Sequence, residues 1–220
     1  FHIKPQKDGL LPYGYVQKEN ETIVNVSNYE FNFKNPTFIA FFIFSGIFCM
    51  ITALAQHLPG YVQTVGISAT VGALMVTACM IGNIGSKLAI GVITDKIGPL
   101  LSTFVMISIN ALSVVVIMLS RSETILIGAA VTYGTCYSVG AVGLPLLTKM
   151  FFGQSNFNNV YPKISFAGNI GTALALTIIG YIYDIFGSYF FAFVMIYAII
   201  AACIALLLFC NKNKPNTKEA

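Results

Sequence analysis

The chain has 220 residues, of which 56% are hydrophobic and only 9% charged, with a net charge of +4. A soluble domain carries about 25% charged residues, so this chain lacks the polar surface to face water on every side, and a bilayer is its expected solvent. The twelve basic residues are scattered over tails and turns with no aromatic-interleaved stripe, which argues against nucleic acid as a partner.

Residues 1–35 mix Lys4, Lys7, Asp8, Lys18, Glu19, Glu21, Glu30 and Lys34 with Pro5, Gly9, Pro12 and Gly14, and read as a linker into a membrane domain. The chain opens on Phe1 rather than Met, and the expectation is a piece of something longer. Six apolar spans follow, at about 36–59, 67–93, 100–119, 124–151, 163–186 and 188–210, and 211–220 is a polar tail. Pro36 suits a first helical turn and Pro59 a stop. Runs this long cross a hydrocarbon core of roughly 30 Å as helices, because only helices satisfy their own backbone in lipid. The expected fold is therefore an all-α membrane protein of six transmembrane helices.

Six spans put both tails on one side, together with the turns near 94–99 and 152–162. That side carries ten lysines, whereas the other holds only Arg121. By the positive-inside rule both termini are expected in the cytoplasm, in a cell (plasma or inner) membrane. The five cysteines, Cys49, Cys79, Cys136, Cys203 and Cys210, sit in apolar runs without CxxC spacing and read as small buried hydrophobes. No metal site and no cofactor is expected.

Two patterns recur in the second and fifth spans. GNIG stands at 82–85 and 168–171, and Gly-x-x-x-Asp-x-x-Gly at Gly91/Asp95/Gly98 and Gly180/Asp184/Gly187. Three helices per unit forces opposite topology on the two units, so the expectation is a pair of inverted three-helix repeats. Ala167, Gly171 and Ala175 recur every four residues, as close helix packing requires. In the fourth span, Gly140 to Pro145 predicts a bend.

GVITDKIG at 91–98, with its charged Asp95-Lys96 pair between the second and third spans, resembles the cytoplasmic loop motif of the major facilitator superfamily, although Pro99 and Leu100 stand where a basic pair is usual. KPQKDGLLPYG at 4–14 is similar to the central loop of bacterial members, LAQHLPGY at 54–61 to the end of their seventh helix, and GYIYDIFGSY at 180–189 to the junction of their last two helices. The nearest branch resembled is that of monocarboxylate and oxalate/formate transporters. The resemblance implies the C-terminal six-helix half of a twelve-helix secondary transporter. Its partners would be the N-terminal half of the same chain, the lipid bilayer, a small-molecule substrate and a coupling ion.

Lys87 is the sharpest candidate. A cation at a helix centre in the membrane costs about 2.5–3.5 kcal/mol on insertion scales, so it faces a bundle interior or water. Relatives carry a cation four residues before the motif's first glycine, and the resemblance implies that Lys87 engages a substrate carboxylate, with Asn83 one turn earlier on the same face. The competing reading is a lysine that snorkels to the interface or pairs with a carboxylate of the other half. Tyr133 and Tyr137, one turn apart, and Asn169 are the further substrate-binding candidates; packing accounts for them equally well. Gly91, Asp95, Lys96, Gly98, Gly180, Asp184 and Gly187 are read as gating or structural turns. His57 could couple protons, since His titrates near neutrality, or be a satisfied interfacial side chain. No GxSxG, HExxH, Walker loop or dinucleotide fingerprint occurs, so the chain does not read as an enzyme. The function expected is transport of a small organic anion, a mono- or dicarboxylate, by proton symport or anion antiport. Transport of a sugar, drug or other metabolite, and a non-transporting six-helix scaffold, are the alternatives.

Overall fold

The computed structural model describes residues 34–214, and these are helical with short connections. The linker reading of 1–33, the motif at 4–14 and the last six residues lie outside the described residues. Helix α1 (Pro36–Met50) starts on a cap whose Asn35 side chain accepts from the Thr37 amide at 2.9 Å, with Pro36 in the first turn. A 3-10 turn at Ile51–Ala53 joins it to α2 (Leu54–Thr64). The helix runs on through Pro59, which the sequence reading takes as a stop. Pro59 is tolerated because the neighbouring helix closes on it: a Cβ built at Gly72 would stand 2.7 Å from the Pro59 Cα.

Helix α3 (Ala69–Ile97) is capped by Ser68, and α4 (Pro99–Leu119) begins on Pro99. Only Gly98 separates them, with φ 82° and ψ 165°, a conformation essentially reserved for glycine. Gly91, Asp95 and Lys96 are thus inside α3, and the expected charged turn shrinks to one residue. A Thr94–Ser102 hydroxyl bond of 2.7 Å staples the two helices at the corner.

Next come α5 (Glu123–Tyr133), the single turn α6 (Thr135–Ser138), a π-helical stretch at Val139–Gly143, and α7 (Leu144–Phe186). The π turn falls where Gly140 and Pro145 predict a bend. The run Glu123–Phe186 has 64 residues. At about 1.5 Å per residue that is roughly three times the hydrocarbon thickness. It is broken at Gly153, with φ 78° and ψ 166°, while Lys149 lies 5.0 Å over the Phe157 ring across the break. The stretch 154–162, expected as a turn, is helical. Gly187, left-handed at φ 62° and ψ 15°, ends α7 before α8 (Phe190–Lys212). Among the described residues five helical runs, counting Glu123–Phe186 once, are long and apolar enough to cross a membrane.

Two crossings hold the bundle together. At one, α3 meets α5: a Cβ at Gly82 would fall well inside 3.0 Å of the Val131 carbonyl, and one at Gly134 would stand 2.6 Å from the Asn83 amide. At the other, α1 meets the later part of α7: a Cβ at Gly171 would run into the Gly46 carbonyl, and one at Gly168 would lie 2.8 Å from the Cys49 sulfur. Close backbone approach of this kind drives helix association where lipid offers no hydrophobic gain. Phe41, Phe44, Phe48, Phe151, Phe152 and Phe193 fill the core behind these crossings. The five cysteines are free, and four of them are buried.

Candidate functional site

The polar groups at mid-height gather around the 3-10 turn. A carbonyl has two lone pairs, so those in and beside this turn can accept a second bond besides their backbone one, and three side chains donate to them. Tyr133 donates its hydroxyl to the Ile51 carbonyl, and Tyr137 donates to Thr52 at 3.1 Å. From α7, Thr172 donates to Cys49 at 3.1 Å. Tyr133 is wholly buried and Tyr137 half-buried. The carbonyl of Tyr133 in turn accepts from Asn110 Nδ2 at 3.0 Å. The turn at 51–53 and the role of Thr172 were not anticipated from sequence; a carbonyl that lacks a helical donor leaves no mark in residue identity.

Asn83 stands beside this hub, since its backbone amide faces Gly134 between the two tyrosines. Its amide nitrogen makes one long contact, 3.9 Å to the Met80 sulfur, and its buried Oδ1 has no hydrogen-bond partner. Lys87, one turn further along α3, is exposed, and among the described residues no carboxylate pairs with it. It lies about 6 Å along the axis from Asn83, at the edge between the buried side of α3 (Cys79, Ser86, Ile90) and an open stripe of Ile81, Ile84, Leu88 and Val92, each at least 58% exposed. Helix α3 is the least buried of the membrane-length runs, at 22%.

The other candidates are dispersed. Asn169 is exposed on α7, one residue from the packed Gly168. His57 bonds through Nε2 to the Leu176 carbonyl at 3.2 Å and tilts against the Tyr189 ring at 6.1 Å. Asp95, Lys96 and Asp184 are exposed and make no ion pair among the described residues. No group of three or more metal-binding side chains occurs among the described residues. The arrangement provides one unpaired cation and one unsatisfied amide on an open helix face, beside a rigid hub; it offers no nucleophile activated by a base.

A family model described as Major Facilitator Superfamily matches residues 37–220, nearly the whole helical domain. The chain belongs to the major facilitator superfamily. This makes it a multi-pass membrane protein of a family of secondary transporters, not of enzymes. No curated protein matches the chain.

Proposed function

We propose that this superfamily member carries a small organic anion, a mono- or dicarboxylate, by alternating access, coupled to proton symport or to exchange for a second anion. In this reading Gly153 divides Glu123–Phe186 into two crossings, which gives six spans, and those six form the C-terminal half of a twelve-span carrier in a cell membrane with both termini cytoplasmic. The six spans make two inverted three-helix repeats. Helices α3 and α5, which meet at Gly82, take the places that α7 and α1 take at Gly171.

The observation that carries the substrate class is Lys87. It is a full charge with no carboxylate partner among the described residues, on the least buried helix, one turn from Asn83, whose Nδ2 donor makes only a 3.9 Å contact to the Met80 sulfur. A membrane protein does not retain such a pair without a ligand or an aqueous path to stabilise it. Lys87 supplies the charge and the Asn83 Nδ2 the orienting hydrogen bond, while Asn169, on α7, is a further candidate away from this pair. Tyr133 and Tyr137 shape the wall and hold the Ile51–Thr52 turn through their hydroxyls. The Gly91–Gly98 segment works as a hinge at the cytoplasmic end and Gly180–Gly187 as its counterpart outside. His57 is the candidate for proton coupling.

The test is uptake by the full-length protein in proteoliposomes, with a panel of short-chain carboxylates and uncharged solutes. Lys87→Ala is expected to abolish carboxylate uptake, and Lys87→Arg to retain it with altered selectivity, because Arg binds a carboxylate through a planar fork and Lys as a point charge. Carboxylate uptake unchanged in Lys87→Ala contradicts the anion role.

A further inference from the structure

The end of the bundle opposite Lys34, Lys96, Lys212 and Lys214 holds a cavity of about 390 Å³, enclosed by the ends of α2 and α4 and the start of α8. This volume lies in the lower part of the range for small-ligand sites. Its inner wall is aromatic. Tyr61 packs edge-on against Phe193 at 5.0 Å and against Tyr189 at 6.1 Å.

Among the described residues, Arg121 is the one charged side chain lining this cavity. Its Nη1 donates to the Ser120 carbonyl at 2.8 Å, the Met118 carbonyl at 3.1 Å and the Tyr61 hydroxyl at 3.3 Å, and the Tyr61 hydroxyl in turn donates to the Ile117 carbonyl at 3.0 Å. The guanidinium is thereby fixed by one corner against the end of α4. Among the described residues its Nε and Nη2 donors have no partner and no carboxylate lines the cavity, the nearest to its aromatic wall being Asp184, beside Tyr189. Free donors on an immobilised guanidinium match an oxyanion presenting two oxygens. The cavity mouth is rimmed by Leu119, 70% exposed, and Phe190, 50% exposed, which end the exposed apolar faces of α4 and α8. An occupant therefore meets the exposed Arg121 cation and hydroxyls beside the cavity, with apolar side chains next to them at the mouth.

We propose that this cavity holds the phosphate of a membrane phospholipid, with the headgroup on Arg121 and the acyl chains running down the grooves beside Leu119 and Phe190. The inference is independent of the solute carried at Lys87, and needs only the membrane placement of the bundle. A phospholipid fits better than a free anion because the rim is apolar and lies where the lipid-facing surfaces end. Ser188 and Thr64 supply further polar contacts at the cavity wall.

Native mass spectrometry of the full-length protein, with phosphatidylglycerol, diacylglycerol or inorganic phosphate added, tests this. Wild type is expected to retain one phosphatidylglycerol at activation energies that strip diacylglycerol, and Arg121→Gln to lower that retention about tenfold, the usual worth of a charge-assisted hydrogen bond. Because Arg121 also caps α4, Thr64→Trp provides a second test: it fills the cavity and leaves the arginine in place, and is expected to lose the lipid as well. Equal retention in wild type and in Thr64→Trp overturns the proposal. So does displacement of the lipid by millimolar inorganic phosphate, which would identify a free-anion site, and so does equal retention of diacylglycerol.

Discussion

The crossing of α3 with α5 and the crossing of α1 with α7 use the same device with the parts exchanged. In each, a glycine on one helix receives a backbone carbonyl of the other: Gly82 faces Val131, and Gly171 faces Gly46. A turn away, the small residue and the cysteine trade places. Gly134 of α5 lies against the Cys79 backbone of α3, whereas Cys49 of α1 puts its sulfur against Gly168 of α7. The difference fixes a register. Gly82 to Gly171 is 89 residues, as are Gly91 to Gly180, Asp95 to Asp184 and Gly98 to Gly187, while the GNIG tetrapeptides, Gly82 to Gly168, are 86 apart. The two sequence matches that suggest a repeat are therefore three residues out of step, and the two glycine–carbonyl approaches have the 89-residue spacing of the Gly-Asp-Gly match.

The glycines provide the sharpest way to break this equivalence. Gly82→Ala and Gly171→Ala each drive a methyl into a carbonyl that cannot move without its helix, and each is expected to cost about 3 kcal/mol or more, the upper end of overpacking penalties. Gly85, the last residue of the first GNIG, has nothing within 4 Å of its would-be Cβ. Gly85→Ala is expected to stay within about 0.5 kcal/mol of wild type. Thermal unfolding of the purified protein in detergent ranks the three. A loss at Gly85 as large as at Gly171 would restore the 86-residue register.

A smaller effect separates the two helix ends. Gly98 and Gly187 are equivalent in sequence but not in backbone: Gly98 sits at φ 82° and ψ 165°, Gly187 at φ 62° and ψ 15°. Asn tolerates the second conformation and not the first. Gly98→Asn is expected to lower stability by about 1–3 kcal/mol, and Gly187→Asn by less than about 1 kcal/mol. Equal losses in the same unfolding assay would contradict the distinction.

Much of the helical layout was legible because a membrane span is a property of composition: long apolar runs bounded by Pro36, Pro99 and Gly187 leave little else for the chain to do. An irregularity near Gly140 was legible from its glycines and Pro145, and it takes the form of the π-helical stretch Val139–Gly143. The repeat register was not, since a shift of three residues turns a helix by about 300° and leaves each glycine close to the same face. Nor were the continuation through Pro59 and the helical 154–162 stretch, because both depend on neighbours. At the candidate site, Lys87 stood out as a charge in an apolar run. The 3-10 turn at Ile51–Ala53, which explains where the Tyr133 and Tyr137 hydroxyls go, has no signature in its own Ile-Thr-Ala.

The proposed function depends on Lys87 facing water within the carrier rather than lipid. Lys87→Cys in the full-length protein, labelled in intact membranes by a charged methanethiosulfonate, reads this directly. Leu112→Cys, at an apolar position 65% exposed on α4, is the comparator expected to face lipid; native Cys79, Cys136, Cys203 and Cys210 are buried, and the half-buried Cys49 is replaced by Ser in both variants. Labelling of Lys87→Cys at least about tenfold faster than Leu112→Cys is the predicted result, since the reagent reacts with a hydrated thiolate and not with a thiol in hydrocarbon. Equal, slow labelling at both positions would place Lys87 against lipid and contradict the account.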